Sequence, residues 1–390
     1  MGKPKIAVLI DWYLPGTKAG GPVRSVYSLV NMLKDEFDFY VITTNLDLGC
    51  QNPYKSIAAD TLFVKDGIHY YYFSKSLLLS KNMRLLLSEL QPDLVYLNSF
   101  WSFPFSISVI NLKHKQSLAA PLLLAPRGML GKGAMSLKGL KKRFFIGLAK
   151  TMGWYKGVTF HATNEQEEKD IHKKFPLASV LIAPNVNASP LMQNSSIKQK
   201  DHLKLFFLSR VAEVKNLHFA LEVLKEIPAQ YRVDYDIYGN LEDKEYWGRC
   251  MQIIAQLPPN VSVSYKGELP FHAVQATISR YNALLLPTLN ENFGHSIVES
   301  LLCGCPAVIS DQTPWNDLEE HGAGFAISLS DKQKFITSLI TFAALDQNAF
   351  LIRSKAAMDY ISTKIDLAAI KTQYKSLFND CIKNRPVNVQ

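Results

Sequence analysis

The sequence predicts an α/β protein made of two domains, each a mostly parallel sheet flanked by helices. Three observations carry this. The chain has 390 residues, more than one ordinary core accommodates. Short apolar runs closed by Gly, Pro or Asn alternate with helical patterns from end to end. A polar stretch rich in Ser, Asn and Gln, Ala188–Asp201, divides these runs into two sets and reads as a linker. Hydrophobic content of 47% with 20% charged residues describes a globular chain rather than a disordered one.

The first half begins with the apolar run Lys5–Ile10, which ends at Asp11. The run is too brief for a membrane span or a signal core and reads as a first buried strand. Trp12–Val23 is a loop with Gly16, Gly20 and Gly21, and Ser25–Leu33 is helical. A strand, a Gly-rich loop and a helix in that order let backbone approach a ligand, although the G-x-G-x-x-G spacing is absent. An exposed loop would carry the same glycines. Phe39–Thr43 is a strand, followed by an irregular stretch to about Gly67 and the strand His69–Phe73. Leu77–Leu90 is a helix and Leu94–Leu97 a strand. Asn98–Phe103 brings Trp101 to a strand C-terminal end, where open α/β sheets collect ligands; the aromatic residues also suit core packing. Leu122–Ala125 is a strand closed by Pro126-Arg127-Gly128-Met129. Phe160–Asn164 ends another, Glu165–Phe175 is a helix, and Val180–Ile182 leads to Pro184-Asn185-Val186.

Between them, Met135–Tyr155 places Leu140, Phe144, Leu148 and Met152 at helical spacing with Leu137 and Tyr155, among Lys138, Lys141, Lys142, Arg143, Lys150 and Lys156. A basic amphipathic helix of this kind fits an anionic membrane surface. The same pattern also serves a domain helix that packs its stripe inward and solvates its lysines. Residues 1–185 hold 23 Lys+Arg and 13 Asp+Glu, hence +10; the remaining 20 basic and 21 acidic residues give −1. The excess positive charge therefore lies in the first half and suits nucleic acid, anionic lipid or a phosphorylated acceptor; no nucleic-acid motif is present.

The second half opens with the strand Lys204–Ser209, then Arg210, Glu213 and Lys215, then a helix from about Asn216 to Ile227. Two cations at a strand-to-helix turn can neutralise a diphosphate. Tyr235–Tyr238 ends in Gly239-Asn240. Asp234-Tyr235-Asp236 matches a metal triplet in spacing only, because no partner ligands accompany it. Val261–Tyr265 leads to Gly267-Glu268-Leu269-Pro270. The strand Tyr281–Pro287 then runs into a polar turn with Asn290, Glu291 and Asn292. Phe293-Gly294 opens a helix whose Ile297, Val298, Leu301 and Leu302 share one apolar face, Gly304 stops it, and Pro306–Ser310 is the next strand. Such a helix N-terminus suits a phosphate, and Glu291 and Glu299 bracket it, suggesting a ligand with both phosphate and hydroxyls. Asp331–Leu345, Asn348–Ile361 and Leu367–Ile382 read as closing helices. Five scattered cysteines, Cys303 and Cys305 among them, read as reduced thiols.

Glu291-x7-Glu299 with Phe293-Gly294 between them and Gly304-x-Pro306 after resembles the donor-site signature of retaining GT-B glycosyltransferases of family 4. Arg210-x4-Lys215-Asn216 is similar to another of that family's markers. The resemblance implies a GT-B fold: two Rossmann-like domains with parallel sheets facing a central cleft, and a C-terminal helix that crosses back to the first. It places residues 1–188 plus about 367–390 on the acceptor side and 202–366 on the nucleotide-sugar donor side. It implies that Arg210 and Lys215 grip the donor diphosphate and that Glu291 contacts the transferred sugar. Glu299 would take the ribose hydroxyls. The backbone of Asn292, Phe293, Gly294, His295 and Ser296, the Gly20-Gly21 loop, Gly239 and Leu269 would complete the donor site.

Arg24, Trp101, Arg127 and Asn164 are the acceptor- or cleft-side candidates. Many members carry a His where this sequence has Arg127, so a histidine-based role does not transfer. The implied reaction moves a hexose-type sugar, with retention, to a saccharide or polyprenyl-diphosphate-linked acceptor in bacterial surface-polysaccharide assembly. The nucleotide sugar serves as co-substrate, and no metal or other cofactor is obligatory. The implied location is the cytoplasm or the inner face of the cell membrane. A sugar-nucleotide epimerase or hydrolase of the same fold, or a non-catalytic nucleotide-sugar-binding protein, would share the diphosphate grip.

Overall fold

The computed structural model describes residues 2–131, 135 and 139–383; Leu137 and Lys138 of the basic segment lie outside them. The chain forms two compact units. One contains the described residues up to Ala188 together with those from Leu367 onward, and the other is Ser189–Asp366. Ser189–Asp201 packs within the second unit rather than hanging between the two. Met192 N–H donates to Leu302 O, Ser195 N–H to Ser279 O, and the Asn194 amide to Tyr281 O. Polar composition read this segment as linker; its amides instead satisfy carbonyls at element ends, which composition does not reveal.

The first unit is built on strands β1 Lys5–Leu9, β2 Asp38–Thr44, β3 Leu62–Lys65, β4 Ile68–Phe73, β5 Leu94–Asn98, β6 Leu122–Ala125, β7 Val158–Ala162 and β8 Ser179–Ile182. Their order is β3-β4-β2-β1-β5-β6-β7-β8, parallel except for the β3–β4 hairpin. β1, β5 and β6 are buried almost throughout, as strands covered on both faces must be. In this hairpin β3 and the turn lie in the stretch expected to be irregular, whereas β4 is the strand expected at His69–Phe73. Asp66-Gly67 forms the two-residue turn with φ of 53° and 78°, and Lys65 faces Ile68 across it. That backbone matches the twist of a tight hairpin and is open chiefly to Asp/Asn-Gly pairs.

The helix Leu367–Lys383 belongs to this first unit, although 178 residues of the second unit precede it. Phe378 is fully buried, with its ring 5.5 Å from Phe37, 5.6 Å from Tyr96 and 6.3 Å from Phe39. Lys371 and Lys375 both reach Glu36, at 3.6 and 2.9 Å. Burial of the aromatic ring provides the attachment, on the order of 3 kcal/mol or more; the exposed ion pairs add a fraction of that.

The second unit contains β9 His202–Leu208, β10 Arg232–Tyr238, β11 Val261–Gly267, β12 Ala283–Leu286, β13 Ala307–Ser310 and β14 Gly324–Ile327. All are parallel, in the order β11-β10-β9-β12-β13-β14. Relative to their own sequence this is 3-2-1-4-5-6, the doubly wound order, in which the chain reverses direction across the sheet between β9 and β12. The helix Lys244–Ile254, absent from the sequence reading, is capped by Asp243, whose carboxylate accepts from Tyr246 N–H at 2.9 Å. The helix His295–Leu302 ends as Gly304 predicts. Gly304 has φ 62°, its N–H donates to Leu301 O, and Cys305 N–H donates to Ser300 O.

Candidate active site

Ligands of doubly wound sheets settle beyond the strand C-termini at the point of reversal. In the second unit that point is flanked by the loops after β9 and β12, and hydrogen bonds lock the two loops together. Leu289 N–H donates to Val214 O at 2.8 Å, and Thr288 Oγ1 donates to the same carbonyl at 3.0 Å. The first loop tightens into a single helical turn, Glu213–Lys215, and Asn216 then takes φ 57° before the helix Leu217–Leu224 begins. This geometry delivers the Lys215 ammonium to the Glu291 carboxylate, Nζ to Oε2, at 2.6 Å. Both side chains are largely enclosed, with 11% and 19% of their surface exposed, so the pair is shielded from water and from salt.

Glu291 is fixed from the other side by its N–H, which donates to Gln312 O. Gly294 follows at φ 79°; a Cβ there would sit 2.8 Å from Ile297 Cδ1 and 3.2 Å from Glu291 Cγ. Glycine is therefore what lets the loop turn into the helix His295–Leu302 directly behind Glu291. Phe293 packs against Trp315 with ring centroids 5.8 Å apart, and its carbonyl accepts from Trp315 Nε1. Asn292, His295 and Ser296 are half-buried around this helix start, and Glu299, on the second turn, is buried. An anion placed here would meet the first N–H groups of the helix and the Lys215 ammonium together.

Arg210, two residues past β9, pairs with Glu242, a carboxylate the sequence reading did not single out. Gly239 makes that approach feasible. A Cβ on it would fall 1.8 Å from Ser209 O, so any side chain would force β10 away from the residue preceding Arg210. Leu269, just past β11, is half-buried against the core. Asp234 and Asp236 are occupied within the sheet: Asp234 meets His202 at 2.6 Å, and Asp236 accepts from Tyr281 at 2.6 Å with Lys266 at 3.5 Å. Among the described residues no cluster of three or more His, Cys, Asp or Glu could hold a metal ion. Cys303 and Cys305 are buried thiols whose Sγ atoms face the carbonyls of Gln275 and Ile278.

The first unit reverses between β1 and β5, and its polar residues gather there. Asp11, two residues past β1, accepts from Ser102 Oγ at 2.6 Å. Burial raises the Asp11 carboxyl above the usual range, with the Ser102 hydroxyl opposing. Gly20 has φ 64° and opens the helix Gly21–Leu33, and Arg24 on its first turn is held down to about 10 by burial. Arg127 takes the left-handed conformation, φ 55°, and its guanidinium is committed inside the unit. It donates to Asn185 Oδ1, to Asn98 Oδ1 at 2.8 Å and to Tyr96 Oη at 3.0 Å. It thus ties together the ends of β5, β6 and β8 rather than offering an open fork.

Trp101 packs edge-on against Phe100 and Phe145 and donates to Met129 O, and Asn164 caps the helix Glu165–Lys174 through Glu167 N–H. Glu167 in turn binds Gly128 N–H at 2.6 Å and Thr163 N–H at 2.8 Å. Asp11, Asn98 and Ser102 are not among the candidates drawn from the sequence, where Asn185 enters only within Pro184-Asn185-Val186. The signal for Asp11, Asn98 and Asn185 is positional, since each is the first polar residue after an apolar run in a parallel sheet; Ser102 follows Asn98 and Ser99 and carries no such signal.

Residues 189–356, most of the second unit, match the family model described as glycosyl transferases group 1. Among curated proteins the chain is similar to WcaL of Salmonella typhimurium, described as a putative colanic acid biosynthesis glycosyltransferase. Identity is 24% over 184 residues, 45% of this chain and 44% of WcaL, so the match spans less than half of that relative. Among solved structures, HepE of Anabaena in complex with UDP and glucose is similar, with a TM-score of 0.69 at 16% identity, covering 97% of this chain and 100% of HepE. Sucrose-phosphate synthase of Thermosynechococcus elongatus gives a TM-score of 0.71 at 13% identity, covering 98% and 100%. At such identities the likeness establishes the fold, which is GT-B: two Rossmann-like units with a long C-terminal helix.

Proposed function

From the match of residues 189–356 to the glycosyl transferases group 1 model and from the GT-B fold, we propose that the chain transfers a hexose-type sugar from a nucleoside-diphosphate donor to a saccharide or polyprenyl-diphosphate-linked saccharide, with retention of configuration. The observation that carries this reading is the enclosed Lys215–Glu291 pair at the reversal of the second sheet, with Gly294 and the buried Glu299 immediately behind it. HepE is seen with UDP-glucose, which favours a UDP-hexose as donor. WcaL, described as a putative colanic acid biosynthesis glycosyltransferase, favours a role in polysaccharide assembly; a site of action at the cytoplasmic face of the membrane is part of the proposal.

In this reading the donor diphosphate takes the Lys215 ammonium and the first N–H groups of the helix His295–Leu302, with Arg210 as a second cation once it leaves Glu242. Fixed positive groups at the departing phosphate stabilise charge that develops as the sugar–oxygen bond breaks, and no divalent cation is required. Glu291 holds sugar hydroxyls and so fixes the anomeric carbon. Glu299 holds the ribose. The acceptor hydroxyl loses its proton to the departing diphosphate oxygen on the same face. Glu291 and Glu299 are assigned to different parts of the donor, so a paired-carboxylate hydrolase scheme does not apply.

The test is thermal stabilisation of the purified protein by UDP, GDP and their sugars, followed by product analysis with and without a saccharide acceptor. Stabilisation plus an α-linked product from an α-donor supports the reading. Conversion of the donor without acceptor would make the protein an epimerase or hydrolase, and stabilisation without turnover a binding protein.

A further inference from the structure

The helix Gly139–Thr151 turns its apolar ridge outward. Leu140 is 84% exposed, Phe144 75%, Leu148 43% and Met152, just past the helix end, 48%. Its inward face is a different set of residues. Ile146 and Ala149 are buried, and Phe145 packs on Trp101 and Trp154. At roughly 3.6 residues per turn Lys141 falls on one flank of the ridge, and Arg143 and Lys150 on the other. All three are exposed.

The sequence around the helix is one-sided in charge: from Leu94 to Asn164 it holds ten Lys or Arg and no Asp or Glu. Phe103, 67% exposed, lies two residues from Trp101, whose ring Lys142 overlies at 5.4 Å. Four large apolar side chains in a row are an uncommon surface for a protein that meets only water.

We propose that this ridge docks on an anionic lipid bilayer. Leu140, Phe144 and Leu148 enter the acyl boundary, and Lys141, Arg143 and Lys150 meet lipid phosphates on either side. The charge pattern selects this occupant. A protein partner would have to supply acids on both flanks of an apolar groove, whereas an anionic bilayer presents both features everywhere. Lysine and arginine stems can lie along the apolar surface while their heads stay at the phosphate level. The inference stands on the first unit alone and does not depend on which reaction the second unit performs.

Vesicle flotation of the full chain, without any sugar donor, tests it. The wild type is expected to float with vesicles of phosphatidylcholine mixed with phosphatidylglycerol, and not with phosphatidylcholine alone. Replacing Leu140, Phe144 and Leu148 together by Ser should reduce partitioning by about tenfold or more. Replacing Lys141, Arg143 and Lys150 by Ser should cost roughly fivefold per charge, less at high salt. These side chains are exposed, and Lys150 alone touches the core, its ammonium 5.8 Å from the Phe175 ring, so melting temperatures should stay close to the wild-type value.

The proposal is overturned if wild type stays with the aqueous fraction at low salt or if the ridge variant floats as well as wild type. It also falls if light scattering shows a dimer that the ridge substitutions dissociate while vesicle binding is absent.

Discussion

Replacing Lys215 by Ala tests the centre of the site. The Nζ–Oε2 distance is 2.6 Å, and the two side chains are 11% and 19% exposed. Two unit charges at that distance attract by about 6 kcal/mol at an effective dielectric of 20. Desolvation offsets most of this, leaving a net coupling of about 1–3 kcal/mol. Lys215→Ala should therefore destabilise the donor-free protein, because it strands the Glu291 carboxylate in its enclosure. Adding Glu291→Ala should restore part of that loss. The catalytic prediction is separate: without the ammonium at the diphosphate, turnover should fall about 10²–10³-fold. Glu291→Ala should lose turnover as well, through the sugar hydroxyls, so the double variant regains stability and no activity.

Thermal melting of the four forms of the full chain, with nucleoside-diphosphate release measured alongside, separates the two effects. The reasoning fails if Lys215→Ala turns over donor within about fivefold of wild type. It also fails if the two substitutions add in stability, since a pair at this distance must couple.

His161 is fully buried, and burial together with the nearby Arg127 lowers its pKa from 6.5 to about 3. The unfolded chain therefore takes up a proton below pH 6.5 that the folded one refuses until about pH 3. Its contribution is complete above pH 6.5 and lost progressively toward pH 3, by at most about 5 kcal/mol. Urea unfolding between pH 8 and 4 should show a flatter profile for His161→Gln, and parallel profiles would dismiss the claim. Gly294→Ala should cost about 1–2 kcal/mol and weaken donor affinity, because the left-handed backbone and Ile297 both resist a Cβ; an unchanged melting temperature and donor affinity would count against it. Phe378→Ala should destabilise the protein by about 3–5 kcal/mol, read by calorimetry on the full chain, despite lying in the last helix. Arg127→Met should lower stability more than donor affinity, as the guanidinium is tied to Asn98, Tyr96 and Asn185; a loss confined to donor affinity would reverse that assignment.

Much of this architecture is local in origin and was legible before any coordinates. The Glu291–Ser310 unit is one example: Gly294, the Ile297-Val298-Leu301-Leu302 face and Gly304 each act within a few residues, and the fold uses all of them as read. The Asp66-Gly67 hairpin and the Asp243 cap carried equally local signals and were simply overlooked. Arg127 is different. Its neighbours lie 29, 31 and 58 residues away, and only their arrival decides whether a guanidinium is a ligand-binding fork or a strut.

Amino-acid order alone determined the elements, their division into two α/β halves and the acid-and-cation signature of the second one, because backbone conformation and apolar periodicity are set by near neighbours. The tertiary structure decided which charges meet. It closed Lys215 on Glu291 across 76 residues and Arg210 on Glu242 across 32. It also turned Leu140, Phe144 and Leu148 outward on a helix whose pattern allowed either direction. Periodicity states that a helix has an apolar stripe. Whether that stripe faces the sheet or the solvent depends on which other side chains have already filled the space beneath it.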